Sequence, residues 1–189
     1  MVVGLQAQKN NSQLNLRIGQ YRAILMTPEL VSDDWVRWIG DPFMMTPLGM
    51  KPRIVDRPYL QQYVMQMHAK QRALIGVFQE SSRRHVGIIE VGFDRKHFTA
   101  HVELFLDITT IDFSAVAKEV VPELFQYLAQ RFKIEKFCAS VPETHLQAIR
   151  YFQEYGWELE AVLTEEMPAP ALKRRINMQQ FGWTSPNLG

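Results

Sequence analysis

The stretch Glu135–Ala161, EKFCASVPETHLQAIRYFQEYGWELEA, restricts the fold more than any other part of the chain. Phe137, Ala139 and Val141 alternate with polar or small residues over Lys136–Val141, the period of a strand. Pro142 ends it. Thr144 stands where a helix N-cap belongs, with Gln147 three residues on, the capping-box spacing. Leu146, Ile149 and Phe152 make an apolar stripe, widened by Tyr151 and Tyr155. Gly156 follows as a left-handed stop, and Trp157, Leu159, Ala161 and Leu163 alternate again. A strand, a short capped helix and a second strand in close succession call for a sheet with helices packed on it.

The rest of the chain extends this pattern. Leu14 to Met26 alternates around Gly19-Gln20, as one long bent strand or a tight hairpin. Thr27-Pro28-Glu29 reads as a helix start, with Leu30, Trp35, Trp38 and Ile39 as the buried stripe. Phe43–Arg57 reads as an apolar loop carrying Met44, Met45 and Met50. Asp56–Lys70 has helical spacing. Ala73–Gln79, His85–Phe93 and His97–Asp107 are strands joined by polar turns, an antiparallel meander. A helical segment spans about Ser114–Phe132, although Pro122 would kink it or shift its start to about Pro122. Glu165–Lys173 reads as a loop, Arg174–Phe181 as a last strand able to pair with a second copy in a homodimer, and 182–189 as a tail.

Bulk properties set limits. A chain of 189 residues suits one domain, here 14–181, after a polar leader at 1–13. A net charge of +1 gives no global case for nucleic acid. No apolar run has the length of a membrane span, and the start lacks the order of a signal peptide, so a cytoplasmic protein is expected. Cys138, the one cysteine, rules out an internal disulfide and reads as a small buried hydrophobe. The five histidines show no metal-ligand spacing, so no metal is expected.

The order of elements from Leu14 to Phe181 resembles that of the GCN5-related N-acetyltransferases, above all the ribosomal-protein-acetyltransferase-like branch. The resemblance rests on Pro142-Glu143-Thr144, Ile149-Arg150 and Gly156-Trp157 within the strand–helix–strand order. It implies an α/β (α+β) fold of the acyl-CoA N-acyltransferase kind. That fold has a mixed, mostly antiparallel sheet of six to seven strands flanked by about four helices. It implies acetyl-CoA, or another acyl-CoA, as co-substrate and an amine-bearing small molecule or protein as acceptor. In such proteins the strand of the meander's end splays from the next one to admit the pantetheine arm. A glycine-rich loop opening the following helix holds the pyrophosphate with backbone N–H groups.

Carried residue by residue, the resemblance assigns co-substrate contact to Phe105, Leu106 and Asp107, whose backbone N–H groups would polarise the thioester carbonyl, and the pyrophosphate to Phe113, Ser114, Ala115, Val116 and Ala117. Thr144 stands for an asparagine that contacts the arm. The phosphate segment departs from the family. Asp112 replaces Gln or Arg, Phe113 replaces the first glycine, and no Lys or Arg lies between Lys96 and Lys118. Phe152 occupies the place of the tyrosine that protonates the leaving thiolate. His101 and Glu103 lie on one face of their strand and are the candidate bases; the alternative is a solvated polar pair. Three functions remain open: an acyl-CoA acyltransferase, a binding or interaction module that has lost this chemistry, and an acyltransferase with another donor.

Overall fold

The computed structural model of the protein describes residues 14–184. The expected leader and residues 185–189 of the expected tail lie outside the described residues. The first alternation is a hairpin, β1 (Asn15–Ile18) and β2 (Tyr21–Leu25), turning at Gly19 with φ +51°. A Cβ on Gly19 would collide with Glu119, whose Oε1 accepts the Gln20 N–H at 2.7 Å. The hairpin is thereby tied to a helix a hundred residues later.

Thr27 does not start the first helix. Pro28–Leu30 is a single 3-10 turn, and α1 (Asp33–Gly40) begins after Ser32, whose Oγ accepts the Trp35 N–H at 3.1 Å. Ser32 wins because its hydroxyl serves twice. It also lies 2.7 Å from Nδ1 of buried His85, whose Nε2 is 2.9 Å from the Gly87 carbonyl. A carbonyl only accepts, so His85 carries its proton on Nε2 and takes the Ser32 hydroxyl proton at Nδ1. The expected loop after α1 holds a one-turn helix, α2 (Pro42–Met45), and a 3-10 turn at Thr46–Leu48. Met44 and Met45 are buried, while Met50 is exposed. Helix α3 (Arg57–Ala69) starts at the Asp56 cap.

The meander is β3 (Arg72–Gln79), β4 (His85–Asp94) and β5 (Thr99–Leu106). Helix α4 (Phe113–Phe132) then crosses over to β6 (Lys136–Pro142), which runs parallel to β5. Helix α5 (Leu146–Glu154), β7 (Glu158–Ala169) and β8 (Arg174–Thr184) complete the chain. The sheet order is β1-β2-β3-β4-β5-β6-β8-β7, antiparallel except for β5–β6. The mixed, mostly antiparallel class matches the expectation. Among the described residues there are eight strands and five α-helices, because the first strand splits into a hairpin and the methionine segment winds one extra turn.

Two expectations about the C-terminal strands fail. β7 runs on through Glu165–Ala169, so the expected loop shrinks to 170–173. β8 lies between β6 and β7 and pairs with both over Met178–Phe181, so the expected strand is not the edge of the sheet. Pro168 is tolerated because β7 is the edge strand, where one side of the backbone needs no partner.

Helix α4 passes through Pro122 without a break. A proline inside a helix costs on the order of 3 kcal/mol. Four buried neighbours, Val120, Val121, Leu124 and Phe125, outweigh it at about 1.5–3 kcal/mol each. Pro122 and Lys118, whose carbonyl loses its partner, both lie on the exposed side, where water replaces the bond. Helices α4 and α5 cover one face of the sheet, with Phe125 stacked on Phe137. Helices α1 and α3 cover the other with Trp38, Leu60 and Val64.

Candidate active site

β5 and β6 pair only from Thr99–Val102 against Lys136–Ala139. Beyond Val102 and Ala139 the strands part. The Asp107 N–H donates to Val86 O on the β4 side at 2.9 Å. Backbone direction alternates along a strand, so the N–H groups of Leu106 and Leu104 point the other way, into the gap. The Leu106 N–H thus faces the gap while its carbonyl accepts the Ile108 N–H at 2.8 Å, and the backbone of Phe105 and Asp107 faces β4.

A cavity of about 410 Å3 occupies the gap. Val102, Leu104 and Phe105 line it from β5, and Ala139, Ser140 and Val141 from β6. His145, Ala148 and Phe152 of α5 close one side; Trp35, Tyr63, Met45, Leu48 and Met50 close the other. The methionine segment is thus both packed on the core and part of the cavity wall. It is anchored by Gly49, at φ +69°, where a Cβ would strike Met167, Ala169 and Ile176.

The polar part of this wall is a cluster that the sequence did not expose. Glu90 on β4 lies directly opposite Glu103 on β5. Two carboxylates in that register repel. Arg72 stands between them, in ion-pair contact with Glu90 and with Nη2 3.4 Å from Glu103 Oε1. The Tyr63 hydroxyl donates to Glu90 Oε2 at 3.2 Å. Only 12% of the Glu90 side chain is exposed, against 57% for Glu103. Burial, then the charge of Glu103, push the Glu90 pKa above the ordinary glutamate value, against the pull of Arg72 and Tyr63. Burial likewise raises the Tyr63 pKa, so its hydroxyl stays protonated. Helical spacing had marked Tyr63 only as part of a buried stripe; nothing local marks Glu90, which sits in an apolar run.

His101 and Glu103 share a strand face but not a pocket. Glu103 borders the cavity; His101 borders a separate shallow depression with Lys70, Asp94 and Cys138. Burial and then Arg72 lower the His101 pKa, so the ring is neutral near pH 7. Cys138 is half-buried rather than sealed, and burial raises its thiol pKa.

The start of α4 is already satisfied. The Asp112 carboxylate accepts the N–H groups of Ser114 at 2.9 Å and Ala115 at 3.4 Å, and the Val116 N–H bonds the Asp112 carbonyl at 3.2 Å. Phe113 is 1% exposed and packs edge-on against His145 and Tyr151. Val116 and Ala117 are buried in the core, and Ser114 and Ala115 turn outward. These residues do not fit a nucleotide pyrophosphate, because a carboxylate already holds the amides that would receive it. Asp107 is no better placed. It is fully buried and accepts from Thr109 and Thr110, and Arg37 and Arg84 reach it at 3.3 and 3.1 Å. Burial would raise its pKa, but the hydrogen bonds from Thr109 and Thr110 hold it below the usual carboxylate range.

Thr144 is not the cap of α5. The cap residue is His145, with no side-chain bond, and Thr144 Oγ1 donates to Pro47 O at 2.7 Å. The hydroxyl is spent on the methionine segment, 97 residues away in sequence, so the expected Thr144–Gln147 box does not form. Phe152 lines the cavity where the resemblance places a proton donor, with no proton to give. Tyr151 points elsewhere: its hydroxyl donates to Ala117 O at 3.3 Å and ties α5 to α4. Among the described residues no three His, Cys, Asp or Glu side chains cluster as metal ligands, and no helix is long and apolar enough to cross a membrane.

No family model matches the chain, and no curated protein matches it in sequence. Solved structures do match in shape. A GNAT-family acetyltransferase from Bacillus anthracis aligns with TM-score 0.72 at 10% identity, over 90% of this chain and 98% of its own. Spermidine N-acetyltransferase from Vibrio cholerae, solved with CoA and spermine, aligns with TM-score 0.74 at 13% identity, over 87% and 95%. Ribosomal-protein-S5-alanine acetyltransferase from Vibrio fischeri aligns with TM-score 0.71 at 10% identity, over 93% and 98%. The chain therefore has the fold of the GCN5-related N-acetyltransferases. At these identities the likeness establishes the fold alone.

Proposed function

We propose that the protein is an acyltransferase that moves an acyl group from a thioester donor to an amine in the gap between β5 and β6. The observation that carries this reading is the largely buried Glu90, with raised proton affinity, on the wall of the cavity where the two strands part. The amine nitrogen attacks the thioester carbonyl carbon. The N–C bond forms, the C–S bond breaks, one amine proton passes to the Glu90 carboxylate, and the thiolate takes a proton from water. The N–H of Leu104, a residue that borders the cavity, faces the gap and would stabilise the developing oxyanion. Arg72 and Tyr63 orient Glu90, and Glu103 raises its basicity across the strands. His101 takes no part in this arrangement.

The occupied start of α4 favours a second reading, a binding module of the same fold without acyl transfer. Calorimetric titration with acetyl-CoA and with S-acetylpantetheine separates the two. Binding of at least one thioester below millimolar Kd is expected; no binding of either at millimolar concentration would sink the acyltransferase reading. In a thiol-release assay with amine acceptors, Glu90→Gln is expected to slow turnover by about 10²–10⁴-fold, the usual worth of a positioned base. His101→Ala should leave it nearly unchanged. A full-speed Glu90→Gln enzyme would show the base to be another group.

A further inference from the structure

We propose that the acyl donor is recognised through its pantetheine arm and acyl group in the parted strands, and not through a nucleotide pyrophosphate at the start of α4. This rests on the acyltransferase reading and names its donor class: a pantetheine thioester for which the adenosine phosphates contribute little to binding.

Three observations converge. The Asp112 carboxylate holds the Ser114 and Ala115 amides, and the Asp112 carbonyl holds that of Val116. A pyrophosphate would have to displace a charge that is covalently attached to the site, or lie beside it against like-charge repulsion. Phe113, at the first helical position, is wedged against His145 at 5.3 Å and Tyr151 at 6.1 Å between ring centroids. Its backbone cannot draw back to admit phosphate without pulling that ring from the core. The guanidinium groups that reach the β5–α4 connection, Arg37 and Arg84, are both bound to Asp107. The cavity, by contrast, suits the arm. Its volume falls in the roughly 300–1,000 Å3 range of small-ligand sites. Its walls are mainly apolar, and the parted strands leave backbone groups without a strand partner, the Leu106 N–H among them, for the amides of pantetheine.

The test is calorimetric titration of the whole chain with S-acetylpantetheine and acetyl-CoA at equal ionic strength. The expected result is dissociation constants within about tenfold of each other. Acetyl-CoA binding more than about tenfold tighter would overturn the proposal while leaving the acyltransferase reading intact; binding of neither thioester overturns the acyltransferase reading itself. Asp112→Asn, which keeps a cap and hence the fold, gives a second measure. It is expected to leave S-acetylpantetheine affinity unchanged and to raise acetyl-CoA affinity a few-fold, since the repelling charge is gone. Weaker acetyl-CoA binding in this variant, with S-acetylpantetheine unaffected, would show that Asp112 serves the nucleotide and would also overturn the proposal. Titration with an acetylated acyl carrier protein distinguishes the sources of the arm. Tighter binding than S-acetylpantetheine assigns a protein-borne donor, equal or weaker binding a free one, and both support recognition through the arm.

Discussion

The two helices beside the parted strands begin in opposite ways. α4 opens with Asp112 capping its own amides and with Phe113 sunk in the core at 1% exposure. α5 opens with no side-chain cap and with Leu146 at 70% exposure, next to the cavity that His145 borders. Where the first helical residue is a core residue, packing holds the helix end in place and the chain consumes its own amides. Where that residue points to water, the end is held only by its neighbours. In this fold the closed end stands where the resemblance expects an anion.

Breaking the closed end should cost most. Phe113→Ala removes a buried ring between two others and is expected to lower stability by about 3–5 kcal/mol, read as a drop in the urea midpoint at constant slope. The matching change at the open end, Leu146→Ala, should move stability by less than about 0.5 kcal/mol. Equal effects would mean that the two starts do not differ in the way described.

Next in size is an acid-dependent effect at His145, which joins the two helix starts. Burial pushes its pKa down to about 4. A depressed histidine pKa means that the folded state binds fewer protons than the unfolded chain below pH 6.5. Its contribution is therefore fully present above the unfolded value and is lost as pH falls from about 6.5 to 4. The loss is on the order of 3 kcal/mol. His145→Gln should flatten that part of the stability profile; His85, also pushed down to about 4 by burial, supplies a slope of the same sign that remains.

A smaller loss is expected at the cap itself. Asp112→Ala should cost about 1 kcal/mol, the typical worth of an N-cap. Thr144→Val tests the contrast from the other side. It removes a bond to Pro47 and no cap, so far-ultraviolet helicity should hold while the mobility of the methionine segment rises in hydrogen exchange.

Much of the fold was legible because it is written in local periods. The alternation of Lys136–Val141 and the stop at Gly156, at φ +79°, appear where the residues placed them; the α5 stripe holds at Ile149, Tyr151 and Phe152, while Leu146 is exposed. Helix starts were less legible. Ser, Thr and Asp are interchangeable as caps in the chain, and only their distant partners decided between Thr27 and Ser32 or diverted Thr144. The site was least legible. His101 and Glu103 carry a sound strand-face argument, but a face is longer than a pocket, and the two residues fall in different depressions. Glu90 had no local mark because its meaning depends on the strand beside it.

The sequence by itself determined the order of elements and the poor fit of Asp112 and Phe113 to a phosphate. Those properties follow from neighbours a few residues apart, through side-chain period, charge and the size of a ring. The tertiary structure decided that α4 runs unbroken through Pro122, that β8 is interior and β7 the edge, and that Glu90 faces Glu103 with Arg72 between them. These depend on the register and burial of segments distant in the chain, where packing free energy outweighs local preference.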